Sequence, residues 1–236
     1  MAVKNRCQFG AVKYIAFDLD GTLIDSVPEL AVAVQMAMTD LGRTPPAAEK
    51  VRTWVGNGAD VLIGRALSDS IEVDPELPDA LRAEARARFD FHYHNNGHEG
   101  TKVYDDVIET LQTLKASGYQ LGIITNKPSQ FVPDILAELG IDSLFDDVFG
   151  GDAFPVKKPD PMPLNHLREK YGLAQDELMM VGDSRNDILA AKNAGIASVG
   201  LTYGYNYGES IAISGPELVT GQFADLLTVL TGVKTR

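Results

Sequence analysis

The chain has 236 residues, enough for one large domain or one domain that carries an insertion. Apolar residues make up 44% and charged residues 23%, a balance that excludes disordered and collagen-like chains, and no stretch approaches the ~20 apolar residues of a membrane span. The formal net charge of -12 argues against nucleic acid as a partner, because nucleic-acid binders carry basic patches.

Residues 1–10 lack the apolar run of a signal peptide, and the single cysteine, Cys7, permits no internal disulfide. The expected setting is therefore the cytoplasm. Cys7 has no paired base nearby in sequence and is not expected to act as a nucleophile. Residues 12–17 read as a buried strand, and the strand ends in Phe17-Asp18-Leu19-Asp20-Gly21-Thr22-Leu23. Acidic residues are depleted in strands. Side chains at i and i+2 of an extended segment share a side, so Asp18 and Asp20 would repel unless a cation or a shared proton intervenes.

From residue 26 to residue 100 the pattern is helical, with no strand. Ser26-Val27-Pro28-Glu29 has the spacing of a capping box, and Leu30, Ala33, Val34, Ala37, Met38 and Leu41 follow on one helical face. Asn57 sits in a Gly-flanked turn and is a candidate substrate contact. Arg65 is expected on a helix surface. His92 and His94 are two apart on a presumed helix and so point to different faces, and Gly97 interrupts the path to His98; no metal site is expected there. This block is expected to be a lid over the end of the first strand.

Beyond residue 100, strands alternate with helices. Strands are predicted over 120–125, 147–149, 178–181 and 197–201, and helices over 105–116, 129–139, 161–171, 184–193 and 223–230. Gly118, Gly140, Gly172 and Gly195 fall just past four of these helices, where left-handed caps belong. The alternation means a parallel sheet covered on both faces, and ligands of such sheets bind at the carboxyl ends of the strands. Three further groups lie there. Thr125-Asn126 offers a hydroxyl and backbone N–H groups. Lys157-Lys158-Pro159-Asp160-Pro161 can place one ammonium. Val181-Gly182-Asp183-Ser184-Arg185-Asn186-Asp187 adds two carboxylates. Asp18, Asp20, Asp183 and Asp187 together form a hard oxygen cluster of the kind magnesium prefers, and carboxylates, a cation, a hydroxyl and a lysine suit phosphoryl transfer. Tyr203, Tyr205 and Tyr207 are expected to pack a loop.

These four segments, in this order and with the helical insert in place, resemble the haloacid-dehalogenase superfamily of phosphatases with a type-1 helical cap. The resemblance implies a doubly wound, Rossmann-like parallel-sheet α/β core over 1–25 and 101–236 and an all-helical cap over 26–100. It implies Asp18 as nucleophile, Asp20 as general acid/base, and Thr125 with Asn126 as phosphoryl contacts. Lys158 is the implied site lysine, with Lys157 as the competing assignment. Mg2+ is implied as cofactor, on Asp18, Asp20, Asp183 and Asp187, with Asp20 contributing its backbone carbonyl and Asp187 either a ligand or a support. Within the superfamily, residues 54–59, 65–67 and 202–208 resemble those of bacterial phosphoglycolate phosphatases, which implies hydrolysis of 2-phosphoglycolate by a monomer or homodimer with no nucleic-acid or membrane partner. The rival expectations are a sugar-phosphate phosphatase or phosphomutase on the same scaffold, and a phosphate-binding regulator without turnover. Thr22 resembles the phosphatase form of the first motif; related mutases usually carry valine there.

Overall fold

The computed structural model describes residues 9–96 and 100–232. Cys7, Gly97 and His98 lie outside them.

The first strand, β1 (Tyr14–Phe17), is buried along its whole length. Its side chains alternate between two hydrophobic clusters: Ile15 and Phe17 join one, Tyr14 and Ala16 the other. That two-residue alternation is what a strand covered on both faces requires. A short β2 (Ile24–Asp25) follows, then four helices: α1 (Val27–Asp40), α2 (Ala48–Arg52), α3 (Ala59–Ser68) and α4 (Asp79–Asn95). The chain returns through β3 (Lys102–Val103), which pairs antiparallel with β2. The sequence pattern gave no sign of this two-residue ribbon, since pieces so short carry no periodicity.

The helical block holds together through its own apolar face. α1 packs along α4, with Val34, Met38, Phe89 and Tyr93 buried, and each large side chain so buried contributes roughly 1.5–3 kcal/mol. His92 joins the same pair of helices, its Nε2 2.7 Å from Asp40 Oδ2. The capping box expected at Ser26 does not form. Ser26 Oγ instead donates to Asp20 Oδ1 at 2.6 Å, and Glu29 accepts from Thr101 Oγ1. Both side chains are drawn away from the helix end by partners outside the helix.

The rest of the chain alternates α5 (Val107–Ala116), β4 (Gln120–Ile124), α6 (Val132–Glu138), β5 (Asp147–Phe149), α7 (Met162–Tyr171), β6 (Leu178–Gly182), α8 (Arg185–Ala194), β7 (Ala197–Leu201), β8 (Leu218–Thr220) and α9 (Asp225–Leu230). Gly118, Gly140, Gly172 and Gly195 all have positive φ, as helix-ending glycines should. The sheet has six parallel strands in the order β5-β4-β1-β6-β7-β8. The edge strand β8 was not expected; at three residues, with one buried, it has no apolar run to read. No helix among the described residues is long and apolar enough to cross a membrane.

Topology places the site. The chain winds outward from β1 through β4 to β5, then from β6 through β7 to β8 on the other side. The order therefore reverses between β1 and β6, and a crevice opens at their carboxyl ends. Register then aligns the motifs, because Phe17 sits opposite both Ile123 and Val181. Asp18, Thr125 and Asp183 thus leave neighbouring strands at the same edge. The helical block follows directly on β2 and covers that edge.

Candidate active site

Asp18 is the first residue past β1 and is buried. Leu19 N–H donates to its Oδ1 at 2.7 Å, and Lys158 Nζ lies 2.9 Å from the same oxygen. Lys158 also donates to Asp187 Oδ1 at 2.7 Å, so one buried ammonium joins two carboxylates. Lys157 takes no part: its ammonium lies instead toward Gly58 of the helical block.

Asp183 follows β6 and is almost fully buried. Thr22 Oγ1 donates to its Oδ1 at 2.7 Å, and the Tyr205 N–H donates to its Oδ2 at 2.8 Å. Two glycines make room for it. A Cβ at Gly21 or Gly204 would come 2.4 or 2.2 Å from Asp183 Oδ2, closer than any real contact. Gly21 also has φ +87°, which only glycine adopts freely. Asp187 is fully buried on the first turn of α8, where its Oδ2 accepts from the N–H and the Oγ of Ser184 at 3.0 Å. Its helix-capping and lysine-holding roles thus use different oxygens.

Carboxylate oxygens of Asp18, Asp183 and Asp187 lie within 4.8 Å of one another. Burial is the main force on two of them. It pushes the Asp18 carboxyl up to about 8, opposed by Lys158 and reinforced by Asp187 and Asp183. It pushes Asp183 up to about 7, again with Asp187 adding to the effect. Burial alone would lower the Lys158 ammonium, but Asp18 and Asp187 outweigh it and hold the proton on. Ionised together, three buried carboxylates against one lysine would carry an excess of negative charge, all of it on hard oxygen donors. A small divalent cation fits that donor set and relieves the excess.

Asp20 lines the same cavity as Asp18. Its Oδ1 accepts from Ser26 Oγ and, at 3.0 Å, from Lys127 Nζ. Lys127 is buried and also donates to Tyr93 OH on α4 at 2.7 Å. Sequence reasoning missed both Lys127 and Tyr93. The adjacent Lys157-Lys158 pair drew the search for a cation, and the burial of a lysine two residues past Thr125 follows from the fold, not from local pattern.

Thr125 and Asn126 follow β4 and are buried. Thr125 Oγ1 accepts from the Lys127 N–H at 3.2 Å, which closes the turn. Asn126 Nδ2 donates to Gly56 O at 2.9 Å and Lys158 O at 3.0 Å, tying the helical block to the lysine loop. Asn126 Oδ1 is buried with no hydrogen-bond partner. A cavity lies above, lined by Asp18, Asp20, Thr125, Asn126 and Lys127 from the sheet edge and by Val55, Leu62, Phe89 and Tyr93 from the helical block. Gly56 and Gly58 line it as well, but Asn57 between them does not.

The remaining candidates have other duties. Arg65, expected on a surface, is buried, with its guanidinium donating to Trp54 O at 2.6 Å and Ile71 O at 2.8 Å; it does not line the cavity. Tyr203 OH donates to Thr22 O at 2.7 Å. Tyr205 OH donates to Asp25 Oδ1 at 2.7 Å and accepts from the N–H groups of Ser26 and Val27. Tyr207 OH accepts from Asn186 at 2.8 Å. All three pack the loop after β7 onto the site without lining it. His92 pairs with Asp40, and His94 is exposed.

Residues 15–201 match the haloacid dehalogenase-like hydrolase family. A phosphoglycolate phosphatase of Photobacterium profundum is 56% identical over 223 residues, 94% of this chain and 97% of that one. One of Vibrio vulnificus is 56% identical over 93% of this chain and 96% of its own length. Among solved structures, that of a predicted phosphoglycolate phosphatase from Haemophilus somnus superposes with a TM-score of 0.86 at 43% identity, covering 93% of this chain and 98% of the other.

Proposed function

The chain belongs to the haloacid dehalogenase-like hydrolase family, and from that premise we propose that it is a magnesium-dependent phosphatase that hydrolyses 2-phosphoglycolate to glycolate and phosphate through a phosphorylated Asp18. The observation that carries the reading is the ammonium of Lys158 between Asp18 and Asp187, with Asp20 two residues further on. Relatives sharing more than half their residues with this chain are named phosphoglycolate phosphatase, which supports the choice of substrate. The apolar wall of Val55, Leu62 and Phe89 supports it too, since the hydroxyls of a sugar would find no partners there.

Phosphate-monoester hydrolysis without a catalyst is among the slowest known reactions, needing up to ~10²¹-fold acceleration. A covalent route divides it. Leu19 N–H and Lys158 orient Asp18 through Oδ1, and the carboxylate attacks phosphorus in line. Asp20 gives its proton to the departing alkoxide, then takes one from the water that cleaves the aspartyl phosphate. Thr125, Asn126 and Lys158 hold the phosphoryl oxygens. Asp18, Asp183 and the Asp20 backbone carbonyl, with Asp187 in support, would hold a magnesium ion, which would supply the charge that lets an anionic substrate approach a carboxylate. Residues 26–100 act as a cap that excludes bulk water during turnover. The setting is the cytoplasm.

The test is phosphate release from 2-phosphoglycolate beside a panel of sugar and nucleotide monophosphates, with magnesium and with excess chelator. Magnesium-dependent turnover that favours 2-phosphoglycolate is expected. Full activity in chelator would remove the metal, and a preference for a sugar phosphate would replace the substrate.

A further inference from the structure

The phosphoryl end of the substrate has its cation in Lys158, which does not line the cavity; a different cation does. Lys127 is the only lysine or arginine among the described residues that line it. Its side chain is 3% exposed, and a buried ammonium is costly unless it is paired. Asp20 and Tyr93 engage it at 3.0 and 2.7 Å, and the Tyr93 ring lies 4.7 Å below it. Lys127 also reaches Asp20 Oδ2 at 3.4 Å, and a single hydrogen shared between the two oxygens of one carboxylate serves both contacts; of the three donors of an ammonium, one then remains for an acceptor inside the cavity.

Position gives that capacity a meaning. Lys127 sits against Asp20, the group assigned to protonate the leaving oxygen, so the leaving group must depart beside it. In an ester of a 2-hydroxy acid the carboxylate carbon lies two bonds from that oxygen, roughly 2.4 Å away. The surrounding wall of Val55, Leu62, Phe89 and Phe131 is apolar, which strengthens an ion pair formed against it.

The geometry points to Lys127, steadied by Tyr93, as a specificity residue: its ammonium receives the carboxylate of the leaving group, while Lys158 serves the phosphoryl group. The two cations thus divide a doubly anionic substrate between its ends. This rests on the substrate reading above. An alternative with the same contacts is that Lys127 only holds Asp20 in place, and the two differ in what they predict for a substrate without a carboxylate.

The experiment compares kcat/KM for 2-phosphoglycolate and ethyl phosphate, which has the same two-carbon chain without the carboxylate, in the magnesium-loaded enzyme. The readout is the ratio of the two. In Lys127→Gln the ratio falls by roughly 10–100-fold, as loss of a charge-assisted contact requires. Tyr93→Phe retains the ring that stacks on Phe89 and removes only the hydroxyl; it lowers the ratio about 3–10-fold, in keeping with a neutral hydrogen bond. Should Lys127→Gln fail to fold, Tyr93→Phe decides by the same ratio. Both rates falling together at a constant ratio would overturn the assignment and leave Lys127 as a support for Asp20. A wild-type enzyme that does not favour 2-phosphoglycolate over ethyl phosphate would instead overturn the substrate reading, and this inference with it.

Discussion

Asp20 shows how much a single carboxylate can be asked to do. Ser26 and Lys127 both donate to Oδ1, so Asp20→Asn retains its acceptor and its backbone while losing the exchangeable proton. The variant should fold and bind magnesium, and turnover of 2-phosphoglycolate should fall by ~10²–10⁴-fold. With an aryl phosphate the leaving group needs little help. Phosphorylation of Asp18 then proceeds while its hydrolysis lacks a base, so a burst of phenol near one per active site should precede a slow steady state. Mass spectrometry of the quenched protein should find the phosphoryl group on Asp18; near-normal steady turnover would refute the acid/base role. Gly204 tests the other half of the site. Its Cβ would lie 2.2 Å from Asp183 Oδ2, so Gly204→Ala must push Asp183 off its Thr22 and Tyr205 donors. Loss of such orienting contacts typically weakens metal affinity 10–100-fold, and titration calorimetry with Mg2+ should show it. An unchanged affinity would mean that Asp183 is not a ligand.

Among the elements, the join between the helical block and the sheet has the most unusual construction. Two residues on each side, β2 and β3, make the ribbon, and Tyr205 reaches across to it. Its hydroxyl accepts from Ser26 and Val27 N–H groups and donates to Asp25, while its own N–H holds Asp183. Tyr205→Phe leaves two buried N–H groups without that acceptor, at a cost of about 1–3 kcal/mol for each group that finds no other partner. Urea denaturation should show a loss in that range, and a stability equal to wild type would show that water replaces the hydroxyl. The main helices and strands were legible because their apolar residues repeat at 3.6 or 2 positions. The ribbon and β8 were not, because two or three residues contain no repeat. The capping box failed for a related reason: Ser26 and Glu29 have the right spacing, but Asp20 and Thr101 compete for their side chains.

At the scale of the molecule, the excess of buried negative charge links stability to pH and to metal. The carboxyls of Asp18 and Asp183 are raised from an ordinary 3.8 to about 8 and about 7, chiefly by burial. At these two positions the fold therefore keeps protons that the unfolded chain releases between pH 4 and pH 8, and their contribution to the stability of the metal-free protein falls as pH rises through that window. A magnesium ion held by these groups would need them ionised, so its binding would strengthen over the same range. At 100 times its Kd a ligand adds about 2.7 kcal/mol, which for a chain of this size raises Tm by about 5–11 °C. Calorimetry should find that rise at pH 8 and a much smaller one at pH 5 for the same magnesium concentration. Equal rises at both pH values would mean that the two carboxyls are not what the metal displaces protons from.

What this sequence determined by itself was local in origin: the alternation of elements, the helix-ending glycines, and the acidic residues at strand ends, since each depends on neighbours a few positions away. The parallel sheet and the convergence of Asp18, Thr125, Lys158 and Asp183 needed only the further rule that strand ends meet at one edge; the order of the strands came from the fold. Which lysine serves Asp18, why Asn57 stays out of the cavity while Gly56 and Gly58 enter it, and that Arg65 is buried were decided by tertiary structure. So was the pairing of Lys127 with Asp20 and Tyr93. Those outcomes turn on contacts spanning 34 to 107 residues for Lys127 and on burial, which sets the worth of a charge. A charged side chain looks the same in sequence whether water or a carboxylate will face it.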